Sequence, residues 1–461
     1  MQRFSFAVRK KASRTRAMSD SLLHSLFVVA RPVVLIFLAA SVAIFAYGQS
    51  AQKDPNPQPT HSALSDPAGV TLTLPPGFSA AVVAESLGPA RHIAVRANGD
   101  LYISTRGVTV GGGIIAVRLG PDHKPASVER FSNVTGGTGI GFYGGFLYAA
   151  SPDAVYRFKF DGNQLLPDPQ PELIVGGMPT TGFLNRNIAF DGRGSLYISV
   201  GGTGNICTEK GSTKGLEPCP SLTGRSGIWR FHADRPNQKF PADGEQLATG
   251  VRDLNALAWS TQDHALYGIM EGRNATSNLF PQSVSVEEDE NGIAEEMFRV
   301  TRGTNFGWPY TYFDGILGHR VLAPEYGGDG VKAPSTGNYS TPFATFLAHS
   351  SPLDLLFYRG AAFPSQYRGG AFIVMHGGSG PDLPDGHHGY QVLFLPVHKD
   401  GSIGTYTVFA DGFAGSTPLD RNADRAHFRP AGEAVGTDGS LYIVDSQVGR
   451  LWRITYHKPD R

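Results

Sequence analysis

Cysteine is scarce in this chain: there are two in 461 residues. That excludes a disulfide-dense scaffold and a four-cysteine structural zinc site. Charge is scarce as well, at 17% of residues, where soluble domains usually carry about a quarter. Long apolar runs are also lacking. The longest covers residues 32–47, is interrupted by Ser41, and follows Arg31 directly. It falls short of the ~20 residues that span a bilayer.

The formal charge of zero conceals an uneven distribution. Seven of the 40 basic residues but one of the 40 acidic residues lie within residues 1–48, leaving the remainder at a net −6. A mildly acidic body has no electrostatic footprint for nucleic acid, and that partner is excluded. The basic lead, the apolar stretch and the small residues Ala46 and Gly48 read as a secretory signal cleaved near residue 48. Met18 is an alternative start, and an uncleaved N-terminal anchor is the other reading; any membrane contact would run through this segment. Residues 49–70 are polar and Pro-rich, a linker. Export implies a periplasmic or secreted protein, in which Cys207 and Cys219 are expected to close a loop.

What the chain has in excess is turn formers and aromatics. It holds 58 glycines, 32 prolines, 28 phenylalanines and 17 tyrosines. Gly and Pro at that level exclude long helices, while the aromatics supply a large core. One pattern recurs six times: an apolar strand, a Gly/Asp/Asn turn, then a second strand often centred on Leu-Tyr. It occupies residues 92–104, 139–151, 187–200, 255–269, 355–375 and 434–445. A third apolar element follows each copy, as in GIIAVRL (113–119), GIWRFHA (227–233) and GRLWRIT (449–455). Hairpin plus third strand is what a propeller blade needs. The expectation is all-β: a single six-bladed β-propeller over 71–461, with residues 72–84 returning to the last blade as its outer strand.

Functional residues of such a ring should sit at strand ends that converge on the axis. The connections around GVRDLNALAW (250–259), AEEMFRVTRGTNFGWP (294–309), residues 349–379 and RPAGEAVGTDGSLYIVD (429–445) are the informative ones. Together they resemble the glucose/sorbosone dehydrogenase family, six-bladed propellers that oxidise sugars with pyrroloquinoline quinone and calcium. The resemblance implies quinone contacts at Arg252 and His349. It implies a calcium site at Glu296, the Phe306 carbonyl and Asp314, a set of hard oxygen donors. Trp308 reads as packing. It also implies a sugar, aldose or polyol as substrate and a periplasmic electron acceptor.

The chain departs from the family at the general base. Its histidine falls on Phe183, which cannot accept a proton, and Arg252 is followed by Asp253 where the family has asparagine. Asp253 and Glu295 are therefore candidate replacement bases. The alternative is a carbohydrate- or protein-binding propeller that has lost catalysis; a calcium-dependent lactone hydrolase is a further enzymatic reading.

Overall fold

The computed structural model describes residues 71–109, 112–378 and 387–458. The segments expected to be a signal and a linker lie outside the described residues. Each recurrent hairpin becomes the inner two strands of a blade of four antiparallel strands, to which blades 2 and 3 add a short parallel fifth strand, Gln238–Lys239 and Thr304–Asn305. Blade 1 is Ala90–Val95, Leu101–Thr109, Gly112–Leu119 and Pro125–Phe131. The inner strands of blades 2 to 6 are Ile140–Tyr143, Ile188–Phe190, Leu254–Ser260, Pro352–Phe357 and Pro430–Val435. Phe78–Ala84 pairs antiparallel with Leu451–Tyr456, Phe78 opposite Tyr456, so the first strand completes the last blade. The expected closure is observed.

Burial explains why the strands read as nearly continuous apolar runs. Successive side chains point to opposite faces, and both faces of a blade are covered by neighbours. In blade 1, Tyr102, Ile114 and Ala116 pack toward blade 2, against Leu147 and Phe158. Ile103, Ile115 and Val117 pack toward blade 6, against Tyr442 and Leu451. Six large apolar clusters fill the six interfaces between blades. The richest joins blades 5 and 6, where Phe78, Phe363, Tyr367, Phe372 and Phe409 meet edge-on.

Cys207 and Cys219 form the expected disulfide, with Cα atoms 6.1 Å apart. It pins the connection between Ser195–Val200 and Gly227–His232 against Trp308 and Phe306. A separate hairpin, Thr311–Asp314 with His319–Leu322, stands beside blade 4. Among the described residues no helix is long and apolar enough to cross a membrane.

Candidate functional site

At one end of the axis, the residues that open the inner strands and those that close the second strands surround a cavity of about 280 Å³. Blade 1 contributes Arg91 and His92 from its inner strand and Arg106 from its second. Blade 4 contributes Asp253 and Asn255, and then Glu271 immediately after Ala265–Met270. Blade 5 contributes Ser351 and His376, and blade 6 contributes Arg429 and Ser446. Blades 2 and 3 contribute Thr138 and Asn185, from the start of the inner strand alone, whereas blades 1, 4, 5 and 6 contribute from both strand ends, so chain closure assembles the site.

The charges are segregated. Arg91, Arg106 and Arg429 come from adjacent blades 1 and 6. Burial, then the charges of Arg106 and Arg429, lowers the Arg91 pKa to about 10. Burial likewise lowers that of Arg429. Arg429 Nη2 donates to the Gly377 carbonyl at 2.5 Å and to His376 Nδ1 at 2.9 Å. Because guanidinium only donates, His376 Nδ1 accepts, and its Nε2–H faces Ser446 Oγ at 2.7 Å. Burial and the nearby arginines hold His376 neutral, well below the ordinary range. Two buried guanidinium atoms, Arg91 Nη1 and Arg429 Nε, have no partner among the described residues.

Blade 4 supplies the acidic side. Glu271 Oε1 accepts from Asn255 Nδ2 at 2.9 Å and from Ser351 Oγ at 3.0 Å. Burial, followed by the charge of Asp253, raises its pKa to about 7. Burial raises Asp253 as well, and Asn185 donates to it at 3.4 Å. Glu295 is pushed up to about 8 by burial and then by Glu271. Both its oxygens are engaged by backbone N–H groups, of Gly272 at 2.7 Å and Ser351 at 3.0 Å, and it does not line the cavity.

The residues proposed from sequence are distributed as follows. Asp253 lines the cavity, while Glu295 stands behind it as an anchor for two loops. Arg252 is also outside the lining. Its Nε donates to Asn205 Oδ1 at 3.0 Å, and its guanidinium lies over the Phe183 ring, 4.8 Å from the centroid. His349 sits between Asn274 and the Asp289 carbonyl, 3.1 and 2.6 Å away, not on the cavity wall. Trp308 packs in the blade 3–4 interface, with its Nε1–H donating to the Asn205 carbonyl at 2.9 Å.

The expected calcium ligands do not surround a common vacancy. Glu296 and the Phe306 carbonyl do converge, but on the Arg320 guanidinium: Nη2 is 2.6 Å from Glu296 Oε2 and Nη1 is 3.1 Å from the Phe306 oxygen. Asp314 is turned onto its own loop, where Oδ1 accepts from the Ile316 and Leu317 amides. Among the described residues no group of three or more His, Cys, Asp or Glu side chains is placed to hold a metal ion. The donors at Glu296 therefore do not fit a bound metal, because a permanent cation already satisfies them.

Arg91, Arg106, Glu271 and His376 were not singled out from the sequence, and Arg429 appeared only as the start of a motif. One signal was available: the apolar second strands of the hairpins end on a polar residue, as in Glu271 after Met270 and His376 after Met375.

Comparison with known proteins agrees with this architecture. A pyrroloquinoline quinone-dependent sugar dehydrogenase from Hypocrea jecorina is 23% identical over 403 residues, covering 82% of this chain and 87% of its own. The calcium structure of the Trichoderma reesei protein of Carbohydrate-Active Enzymes Family AA12 superposes with a TM-score of 0.67 at 20% identity, covering 87% and 99%. The holo pyranose dehydrogenase PQQ domain from Coprinopsis cinerea gives 0.64 at 18%, covering 87% and 98%. The model of the family described as TrAA12-like matches residues 72–315, and this chain, a propeller of the soluble quinone-dependent sugar dehydrogenase kind, belongs to that family.

Proposed function

We propose that the axial cavity oxidises a sugar, aldose or polyol with pyrroloquinoline quinone held on the arginine wall. The observation that carries this reading is the convergence of Arg91, Arg106 and Arg429 on one cavity, with two buried guanidinium atoms unpartnered. Crowded guanidinium groups, of which Arg91 and Arg429 are desolvated by burial while Arg106 is exposed, call for an anionic ligand, and guanidinium pairs with carboxylates bidentately. A neutral sugar would leave that charge unanswered; a polycarboxylate quinone meets it. The relatives named above point to the same cofactor.

When bound, the quinone supplies a two-electron acceptor for hydride. The chain supplies the rest. Arg91, Arg106 and Arg429 orient the carboxylates. Glu271 faces them across the cavity with a pKa of about 7, the value a general base needs near neutrality, and takes the proton of the sugar hydroxyl. Asp253 keeps that pKa high by its charge. Arg252, Glu295 and His349 position the acidic wall from behind. Electrons leave to an exported acceptor, in keeping with the N-terminal signal expected from the sequence.

The experiment is titration of the purified protein with pyrroloquinoline quinone, with and without calcium, followed by addition of aldoses. Saturable quenching of tryptophan fluorescence and bleaching of quinone absorbance support the proposal. Absence of both refutes it. A second reading, a non-catalytic binding propeller, is favoured by Phe183 covering Arg252; it would show as saturable quinone or sugar binding with no bleaching.

A further inference from the structure

The hairpin beside blade 4 carries a buried cation whose surroundings are all oxygen. Arg320 Nη2 donates to Glu296 Oε2 at 2.6 Å and to the Ser340 carbonyl at 3.0 Å. Its Nη1 donates to the Phe306 carbonyl at 3.1 Å and to Thr311 Oγ1 at 3.3 Å. One carboxylate, two carbonyls and one hydroxyl, from four separate stretches of chain, are the donor types that a hard divalent cation takes. The side chains of Arg320 and Glu296 are 9% and 1% exposed, so water does not complete the shell. Gly307 makes the approach possible: a Cβ there would lie 2.5 Å from Arg320 Nη1, and its φ is +100°.

We propose that Arg320 is a built-in substitute for a calcium ion, so that this side of blade 4 is held together independently of metal. Charge decides between the two occupants. The cage holds one carboxylate, which one guanidinium neutralises. A divalent ion would leave a buried surplus of one positive charge, and burying an uncompensated charge is costly. Asp314, the residue that could balance that surplus, is committed to the Ile316 and Leu317 amides. The planar fork of guanidinium also reaches four oxygens at once, which a lysine ammonium with three donors cannot.

The test is thermal unfolding of the full chain in excess chelator and in millimolar calcium, together with terbium luminescence sensitised by Trp308. None of these readouts needs the quinone, so the result is independent of the proposed activity. The wild type should unfold at the same temperature in both conditions. Arg320→Ala should unfold several degrees lower than the wild type in both conditions and give no terbium signal, because the four oxygens left carry one negative charge. Adding Glu296→Gln to that variant should recover part of the loss, since it removes the carboxylate left buried without its cation. Arg320→Lys keeps the charge, should lie between the two and should remain indifferent to calcium, which preserves a decision if Arg320→Ala does not fold. The proposal is overturned by a calcium-dependent rise in the wild type or in either variant, or by an Arg320→Ala as stable as the wild type.

Discussion

Glu271→Gln isolates proton acceptance from everything else Glu271 does. Glutamine keeps the length and an Oε1 that can still accept from Asn255 and Ser351, but its amide does not take up a proton. Loss of a general base typically costs about 10²–10⁴-fold, or roughly 3–5.5 kcal/mol of barrier. The pH dependence follows from the Glu271 pKa of about 7. The carboxylate is half formed at pH 7 and only about 1% formed at pH 5, so kcat/KM should fall tenfold per unit below neutrality. Asp253→Asn removes a neighbouring negative charge that raises this pKa, so the limb should move to lower pH with activity retained. Steady-state oxidation of aldoses by quinone-loaded protein, with a dye acceptor between pH 5 and 9, measures both effects. Quinone affinity serves as the control and should not change, because the arginine wall is intact. Glu271→Gln within about threefold of wild type, or a limb unmoved by Asp253→Asn, would refute the assignment. If His376→Gln abolishes the limb instead, the base is His376.

Further consequences can be checked separately. Arg429→Met should weaken quinone binding by roughly 10- to 150-fold, the worth of a hydrogen bond to a charged group at about 1.5–3 kcal/mol, as read by fluorescence titration; unchanged affinity would place the ligand elsewhere. Glu433 is buried with both carboxyl oxygens unpartnered among the described residues, and burial, then Asp354, raises its pKa well above the ordinary value. The folded state therefore binds the proton more tightly, and stability is lost as pH rises from the unfolded to the folded pKa. Glu433→Gln should remove that loss, stabilising the protein by about 1–3 kcal/mol above the window and little near pH 4; a lower melting temperature at pH 8 would contradict it. Cys207 and Cys219, twelve positions apart, should resist alkylation in unfolded, unreduced protein, and reduction should cost about 3 kcal/mol of stability in the loop-entropy model. Phe183→His should leave turnover near the wild-type level if Glu271 is the base, and raise it by an order of magnitude or more if the base is missing.

The blades were legible in the sequence because their energetics are local and repeated. Residues such as Tyr102 and Ile103 bury on opposite faces against different neighbours, and each hairpin needs its own turn residues, so the pattern is written six times. The site has no comparable local pattern. It takes one or two polar residues per blade, at strand ends where any polar residue would pass for a surface turn. Only closure of the ring puts Arg91 beside Arg429, more than three hundred positions later. The calcium expectation went astray for a related reason. Glu296 and Phe306 do meet as the resemblance implied, but the cation between them comes from Arg320, on a hairpin that no periodicity announces.

The contrast between Phe183 and Glu271 bears on whether the site is an enzyme or a relic. A histidine at 183 would lie against the Arg252 guanidinium, which now stacks on the phenyl ring. A guanidinium there would disfavour protonation of that histidine. In this chain the aromatic ring shields the cation on one side, while burial still lowers the Arg252 pKa. In the proposed reaction, proton acceptance falls instead to carboxylates that burial and mutual repulsion bring toward neutrality, Glu271 to about 7 and Glu295 to about 8. Of these only Glu271 opens onto the cavity, opposite the arginines. An anion-holding wall facing a proton acceptor across a cavity of about 280 Å³ is the division of labour that hydride removal from an alcohol requires. A relic that only bound carbohydrate would have no need to hold a carboxylate at pH-neutral poise against the cost of burying it.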